Sequence, residues 1–446
     1  MSTKIIFGGI LPRVILVSFI LALNLNAKNT ETARWDTGSP LDAGLSSSAT
    51  LEEYLAYAAM NNAGLQAAFD RWKASLESVF QSGVLPDPRF NYGYFIQNVE
   101  TRVGAQKQRV GLSQTFPWLG KLKLKKEAAM AVADMTQQQY ESMKLRLFDE
   151  VKQSYFDYYY LGKSIEITTD NVELLREFER IARSKYESGS ALYADLLKAQ
   201  VELDKLSDRL ETLKEQVPPT VARFNAALSR APHAQIAAPK GLEDQAYSPN
   251  VEWLLGKLAK ANPDLKKAHF LIEKEQARLQ LARKEYYPDV TFGLDVVETE
   301  RSATSNVVGN GKDAVVLGFS ANIPIWRKKL KAGVSESKMR RRAALQSRID
   351  LESQLSAKLE LSVFKFRDAE RKIELYRDSL IGKAEQNLTV TRSAFEAGKV
   401  DFLSLIDAER ALLEFELNYE QAITDREKAI SRIERIVGIS LQKQSE

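Results

Sequence analysis

Residues 90–96 alternate in character. Phe90, Tyr92, Tyr94 and Ile96 fall on one face, Asn91, Gly93 and Gln97 on the other, with Phe95 out of step. The returning stretch sets Val110 and Leu112 against Arg109, Gly111 and Ser113. Two hundred residues later Val290, Phe292, Leu294 and Val296 oppose Thr291, Gly293 and Asp295. Val315, Leu317, Phe319, Ala321 and Ile323 then oppose Gly318, Ser320 and Asn322. A period of two with one apolar face predicts four strands, at about 89–99, 106–116, 289–300 and 314–324.

Elsewhere the period is helical. Thr50 and Glu53 have capping-box spacing, and Ser248 before Pro249 predicts the start of a matching helix. These helices are expected to run to about Ser82 and Glu285. From about Ala128 to Tyr186 there is no Pro and a single Gly. Leu355, Leu359, Ser362, Phe366, Ala369, Ile373, Tyr376 and Leu380 alternate steps of 4 and 3. Leu196, Leu203, Leu206, Leu210, Leu213 and Val217 form one later seam; Leu405, Ala408, Leu412, Phe415 and Tyr419 form another. Narrow seams with charged flanks predict long helical hairpins packed as coiled coils. Gly189 and Gly398 are the expected reversals, because Gly tolerates the positive φ that ends a helix.

The pattern occurs twice. Glu52, Leu55, Ala59, Asn62, Leu65, Ala68, Pro88 and Gly93 recur at a constant offset as Glu252, Leu255, Ala259, Asn262, Leu265, Ala268, Pro288 and Gly293. The strand ends Phe116-Pro117-Trp118 and Ile323-Pro324 with Trp326, and the two Gly reversals, follow in the same order. Two copies of helix, strand, strand, long helix, long helix are expected, at 50–228 and 250–438, joined by a Pro-rich linker at 229–249.

Lys4, Arg13, the apolar run Val14–Leu23 and Ala27 read as a secretory signal over 1–27; residues 28–49 are a polar lead-in and 439–446 a short tail. Without the leader's two bases the charge falls from +4 to 61 − 59 = +2, which gives no reason to expect a nucleic-acid partner. With no Cys there is no disulfide, thiolate site or lipid-modified Cys to consider. His233 and His269 stand apart, and no catalytic constellation or cofactor motif is visible, so neither an enzyme nor a resident metal or cofactor is expected.

Strands of about ten residues are long enough to cross an outer membrane when tilted. An open four-stranded sheet leaves edge groups unpaired in lipid. Either the sheet lies outside a membrane or several chains close one barrel. Two chains supply eight strands and three supply twelve; arithmetic alone allows both.

Together these features resemble the TolC family of outer-membrane efflux proteins. The resemblance rests on the two repeats, Gln114-Thr-Phe-Pro-Trp-Leu-Gly-Lys121, Gly189-Ser-Ala-Leu-Tyr-Ala-Asp195 and Gly398-Lys-Val-Asp-Phe-Leu-Ser-Leu-Ile-Asp407. It implies a mainly α chain with a membrane β-barrel portion: a homotrimer with a 12-stranded barrel in outer-membrane lipid and a 12-helix tunnel through the periplasm of a Gram-negative cell. It also implies a passive conduit docked on a periplasmic adaptor and an inner-membrane pump. The Phe-Pro-Trp-Leu-Gly-Lys segment is similar to the branch serving heavy-metal pumps of the resistance-nodulation-division type. Asp407 and Asp195 are implied at a pore constriction, and Ser404 stands where relatives often carry a second acid. Gly189, Ser190, Leu192, Gly398, Lys399 and Val400 are implied at the adaptor contact. Trp118 and Trp326 suit a membrane-interface girdle. The basic run Arg327–Arg342 reads as a solvated helix face below the membrane, with some attraction for acidic lipid. The competing reading is a structural coiled-coil envelope protein without transport activity.

Overall fold

The structure, a computed structural model, describes residues 49–239, 241–242, 247–303 and 307–441. The expected leader, residues 28–48 of the lead-in and 442–446 of the tail lie outside the described residues. Ala49 does not belong to a free lead-in, because it is buried in a core cluster with Tyr54. Leu441 of the expected tail is likewise buried, and its N–H donates to Glu434.

Helix α1 (Leu51–Asn61) opens with the expected capping box: Thr50 N–H donates to Glu53 Oε2 at 2.8 Å, and Glu53 N–H donates to Thr50 Oγ1 at 3.3 Å. Its counterpart α6 (Val251–Ala261) is not started by Ser248 and Pro249. Asn250 caps it, accepting from Trp253 N–H at 3.0 Å, and Pro249 stays outside. A side-chain amide oxygen satisfies a first-turn N–H, which outweighs the placing of Pro.

The expected helices to Ser82 and Glu285 are each broken in two. Asn62 ends α1 and caps α2 (Ala63–Ser82); Asn262 ends α6 and caps α7 (Pro263–Lys284). Each Asn oxygen accepts from the N–H three residues on, at 2.9 Å in both copies. Each amide then reaches across the fold, Asn62 to the Ala227 carbonyl at 3.0 Å and Asn262 to the Ile436 carbonyl at 2.7 Å.

Strands β1 (Arg89–Thr101), β2 (Gly104–Phe116), β3 (Val290–Thr299) and β4 (Ala314–Ala321) form one antiparallel sheet in sequence order. β4 ends three residues before the expected 324; Asn322 N–H still donates to the Asp289 carbonyl at 3.2 Å, and the next position faces Pro288, which has no N–H for a ladder. Phe90, Leu112, Leu294 and Leu317 lie in one cross-strand row, and Tyr92, Val110, Val296 and Val315 in the next. Among the described residues, no strand neighbours the outer edges of β1 and β4. In the connector between β3 and β4, Gly311 N–H donates to the Val103 carbonyl at 2.8 Å and Asn310 holds Ser302.

Helix α3 (Lys121–Glu187) runs 67 residues, about 100 Å at 1.5 Å per residue. It reverses at Gly189 into α4 (Tyr193–Glu215), followed by α5 (Val217–Ala227). In the second copy α8 (Arg327–Leu375) passes through a π-turn, Tyr376–Leu380, into α9 (Ile381–Glu396), then reverses at Gly398 into α10 (Phe402–Val437). The π-turn replaces the unbroken helix expected there.

Three core clusters follow. One joins α1, α2, α3 and α5; its counterpart joins α6, α7, α8 and α10; a third holds both hairpin ends together through α3, α4, α9 and α10. The expected narrow seam on α10 is a double stripe, because Ile406, Glu409, Leu413 and Leu417 are buried beside Leu405, Ala408 and Leu412. A helix with neighbours on both sides buries more than one face. Among the described residues no helix is long and apolar enough to cross a membrane.

Candidate functional site

The sheet has two chemically different faces. Phe90, Tyr92, Tyr94, Ile96, Leu112, Phe292, Leu294, Val315, Leu317 and Phe319 are all exposed on one. That is a contiguous apolar surface with no partner among the described residues, far beyond the scattered exposure of ordinary proteins. On the opposite face Arg109 meets Asp295 at 2.6 Å and Lys107 meets Glu300 at 2.7 Å; Gln108, paired with Tyr94 on the aromatic face, accepts from the Tyr92 hydroxyl and donates to Glu298 at its edge. Asp295 lies across from Gly111, where an added Cβ would fall 2.0 Å from its carboxylate. Phe116 and Phe292 meet edge-on at 6.0 Å, and Phe292 meets Phe319 at 5.6 Å, making an aromatic chain at the helical end of the apolar face.

Below that end sits the junction between sheet and helices. Lys121 is 2 % exposed; its Nζ donates to Asp289 Oδ1 at 2.9 Å and to the Tyr287 carbonyl at 3.2 Å. Glu285 lies 3.5 Å away. Burial works against the Asp289 carboxylate, but the Trp118 N–H and Lys121 overcome it and hold the group below its ordinary range. Of the two expected girdle residues, Trp118 stacks on Tyr287 with centroids 5.0 Å apart and is half-buried, whereas Trp326 is 73 % exposed.

At the far end the two reversals share one geometry. Gly189 and Gly398 both have φ of 73°. Ser190 N–H reaches back to the Lys185 carbonyl, and Lys399 N–H to the Ala394 carbonyl, the six-to-one bond of a Schellman ending. Lys185 ties them together, donating to the Phe395 and Glu396 carbonyls at 2.8 Å each. A cation there also suits the negative end of α9. Ser190, Leu192 and Lys399 are exposed, as are both glycines and Val400.

The three residues expected at a constriction do not stand alike. Asp407 is 62 % exposed, with Arg410 at 3.5 Å. The Asp195 side chain is 16 % exposed and paired with Lys198 at 3.3 Å. Ser404 is exposed but engaged: its N–H and hydroxyl both donate to Asp401, the N-cap of α10, and hold that carboxyl below its ordinary range. Asp401 was legible as a cap from its spacing to Ser404, yet only the structure singles it out.

Inside the same hairpins lies a group that the sequence did not reveal. Glu409 is 1 % exposed, and its Oε1 has no hydrogen-bond partner. Burial, with Glu202 and Glu416 adding to it and Arg410 opposing, pushes its carboxyl up to about 7. Arg410 itself is turned to Glu202, at 2.9 and 2.6 Å. Farther along α10, burial also raises Glu416 and Glu420, the latter accepting from Tyr159 at 2.9 Å.

The geometry has close counterparts. A family model described as Outer membrane efflux protein matches residues 55–230 and 254–439. The cobalt-zinc-cadmium resistance protein CzcC of Cupriavidus metallidurans is 22% identical over 94% of this chain and 98% of its own. The outer membrane protein VceC from Vibrio cholerae superposes with a TM-score of 0.73 at 16% identity, covering 87% of this chain and 96% of that one. The Neisseria gonorrhoeae MtrE outer membrane channel gives 0.72 at 15% identity, covering 89% and 90%.

Proposed function

This chain belongs to the outer membrane efflux protein family, and from that premise we propose that three copies close one twelve-stranded barrel in a Gram-negative outer membrane. One observation carries the reading: a sheet with an exposed apolar face and two unpaired edges stands at one end of long helices. Such edges are tolerable in lipid only when other strands pair with them. The chain is a passive conduit rather than a catalyst, and a coiled-coil fibre needs no apolar sheet face. We take 50–228 and 250–438 as two copies of one unit, with an N-terminal signal in 1–27.

Asp407, one per copy, forms a carboxylate ring at the periplasmic constriction and attracts cations. Asp195 lines it as well, and Ser404 brings a hydroxyl that donates to the Asp401 cap rather than a charge. Purified protein in a planar bilayer is expected to conduct, and divalent cations are expected to block it. The block weakens severalfold in Asp407→Ala. No conductance ends the channel reading; unchanged block ends the gate assignment alone.

The exposed reversals at Gly189, Ser190, Leu192, Gly398, Lys399 and Val400 meet a periplasmic adaptor, itself joined to an inner-membrane pump. Heavy-metal cations are the cargo, a reading supported by the Phe116-Pro117-Trp118-Leu119-Gly120-Lys121 segment and by the name of the CzcC relative. A strain lacking this gene should grow poorly on cobalt, zinc or cadmium. The wild-type gene restores growth, while Leu192→Asp/Val400→Asp inserts normally and does not. Normal metal tolerance in the deletion strain removes the cargo assignment; full rescue by the variant removes the adaptor contact.

A further inference from the structure

We propose that the junction below the sheet is a docking collar for acidic phospholipid of the periplasmic leaflet. The inference rests on the reading that the apolar sheet face lies in lipid.

Three chain segments meet at this level. Lys284 Nζ donates to the Leu119 carbonyl at 2.9 Å, beside the start of α3. The Arg327 guanidinium lies over the Tyr286 ring, 5.6 Å from its centroid. Tyr287, next in sequence, stacks on Trp118. The end of α7 therefore touches the segments leading into both α3 and α8.

Those segments are predominantly basic. Residues 121–127, 283–289 and 327–331 hold ten bases and three acids. Two of the acids, Glu285 and Asp289, lie beside the buried Lys121. The third, Glu127, stands 3.8 Å from Lys123. Lys125, Lys126, Arg283, Lys328, Lys329 and Lys331 remain exposed. A cationic face near a surface attracts anionic headgroups, and screening limits that attraction to about a Debye length.

Charge alone fits any polyanion; the apolar residues beside it select lipid. Ile323 and Ile325 continue the alternation of Val315, Leu317 and Phe319 past the end of β4, and both are exposed. Leu119 is 82 % exposed and Trp326 73 %. Going down the outer face, the aromatic chain Phe116–Phe292–Phe319 gives way to these apolar residues and then to the bases. That order, acyl chain, interface, phosphate, is the order of a phospholipid monolayer. A glycan or nucleic-acid partner would leave the apolar row unused.

The test uses the full-length protein in phosphatidylcholine vesicles doped with brominated phosphatidylglycerol or brominated phosphatidylethanolamine. Bromine quenches nearby indoles, and the Trp326→Phe protein gives the background to subtract. Brominated phosphatidylglycerol should half-quench the Trp326 signal at about fivefold lower mole fraction. That preference should fall below twofold in Lys328→Gln/Lys329→Gln/Lys331→Gln and in high salt, with heat resistance of the oligomer unchanged. Equal quenching by both lipids, or a preference the variant keeps, overturns the collar but leaves the membrane reading standing. No quenching by either lipid overturns both. Loss of binding to purified peptidoglycan in the variant, with equal quenching by both lipids, assigns the basic row to the cell wall and overturns the proposal.

Discussion

Lys121→Met is expected to lower stability by about 3 kcal/mol at pH 7, the size of loss seen when one partner of a buried ion pair is removed. The lysine is 2 % exposed and ties the start of α3 to Asp289 and the Tyr287 carbonyl, so its loss leaves a partly covered carboxylate held only by the Trp118 N–H. The pH dependence follows from the lowered Asp289 carboxyl. A depressed carboxyl stabilises the fold above its unfolded value, about 3.9, and that contribution is lost as pH falls through the folded value. The gap between wild type and variant is therefore widest at neutral pH and closes below about pH 4. Adding Asp289→Asn to Lys121→Met should recover at least half of the loss, because no lone carboxylate remains. Thermal melts by circular dichroism at pH 7 and pH 3 decide the matter. A Lys121→Met protein that melts with wild type at pH 7 shows the lysine to be incidental.

Asn262→Leu should cost roughly 3 kcal/mol, about 1 for the lost cap and the rest for a buried carbonyl left unpaired. The residue is 3 % exposed, and its side chain serves both the Leu265 N–H and the Ile436 carbonyl. Asn62 makes the same two bonds from a less buried place, so Asn62→Leu should cost less. The two sites share no partners, and the double variant should lose close to the sum. Asn262→Asp is the sharper control. It keeps the cap acceptor but sets a carboxylate oxygen against the Ile436 carbonyl, so it should be at least as damaging as leucine at pH 7. Urea unfolding of each protein measures these losses. A benign Asn262→Asp would show that the cross-fold bond contributes nothing.

These two sites also mark where the chain could and could not be read in advance. The strands were legible to within about three residues, because an exposed apolar face alternating with a polar one leaves a period of two. The reversals were legible because Gly189 and Gly398 take a φ that other residues resist. Asn62 and Asn262 were visible as an identical pair, yet a single helix or two satisfies the same apolar steps, so the break was hidden. Lys121 sits in a Lys-Leu-Lys-Leu-Lys-Lys run that reads as solvated, and only the fold back of Asp289 shows that one lysine is buried. The π-turn at Tyr376–Leu380 adds a residue without interrupting the hydrophobic steps. Glu409 occupies a core position on the double stripe of α10, which a one-faced seam assigns to solvent. Period reads faces; it does not count how many neighbours a helix will have.

The unpaired edges of β1 and β4 have a genetic consequence. In the proposed barrel each edge is completed by another copy, so a defective strand is not confined to the chain that carries it. In a cell making both forms, one faulty copy spoils every ring it joins, and the intact copies in that ring are lost with it. Alleles that damage the sheet edges while leaving the helices folded should therefore behave as dominant, whereas alleles that destroy the whole chain should be recessive.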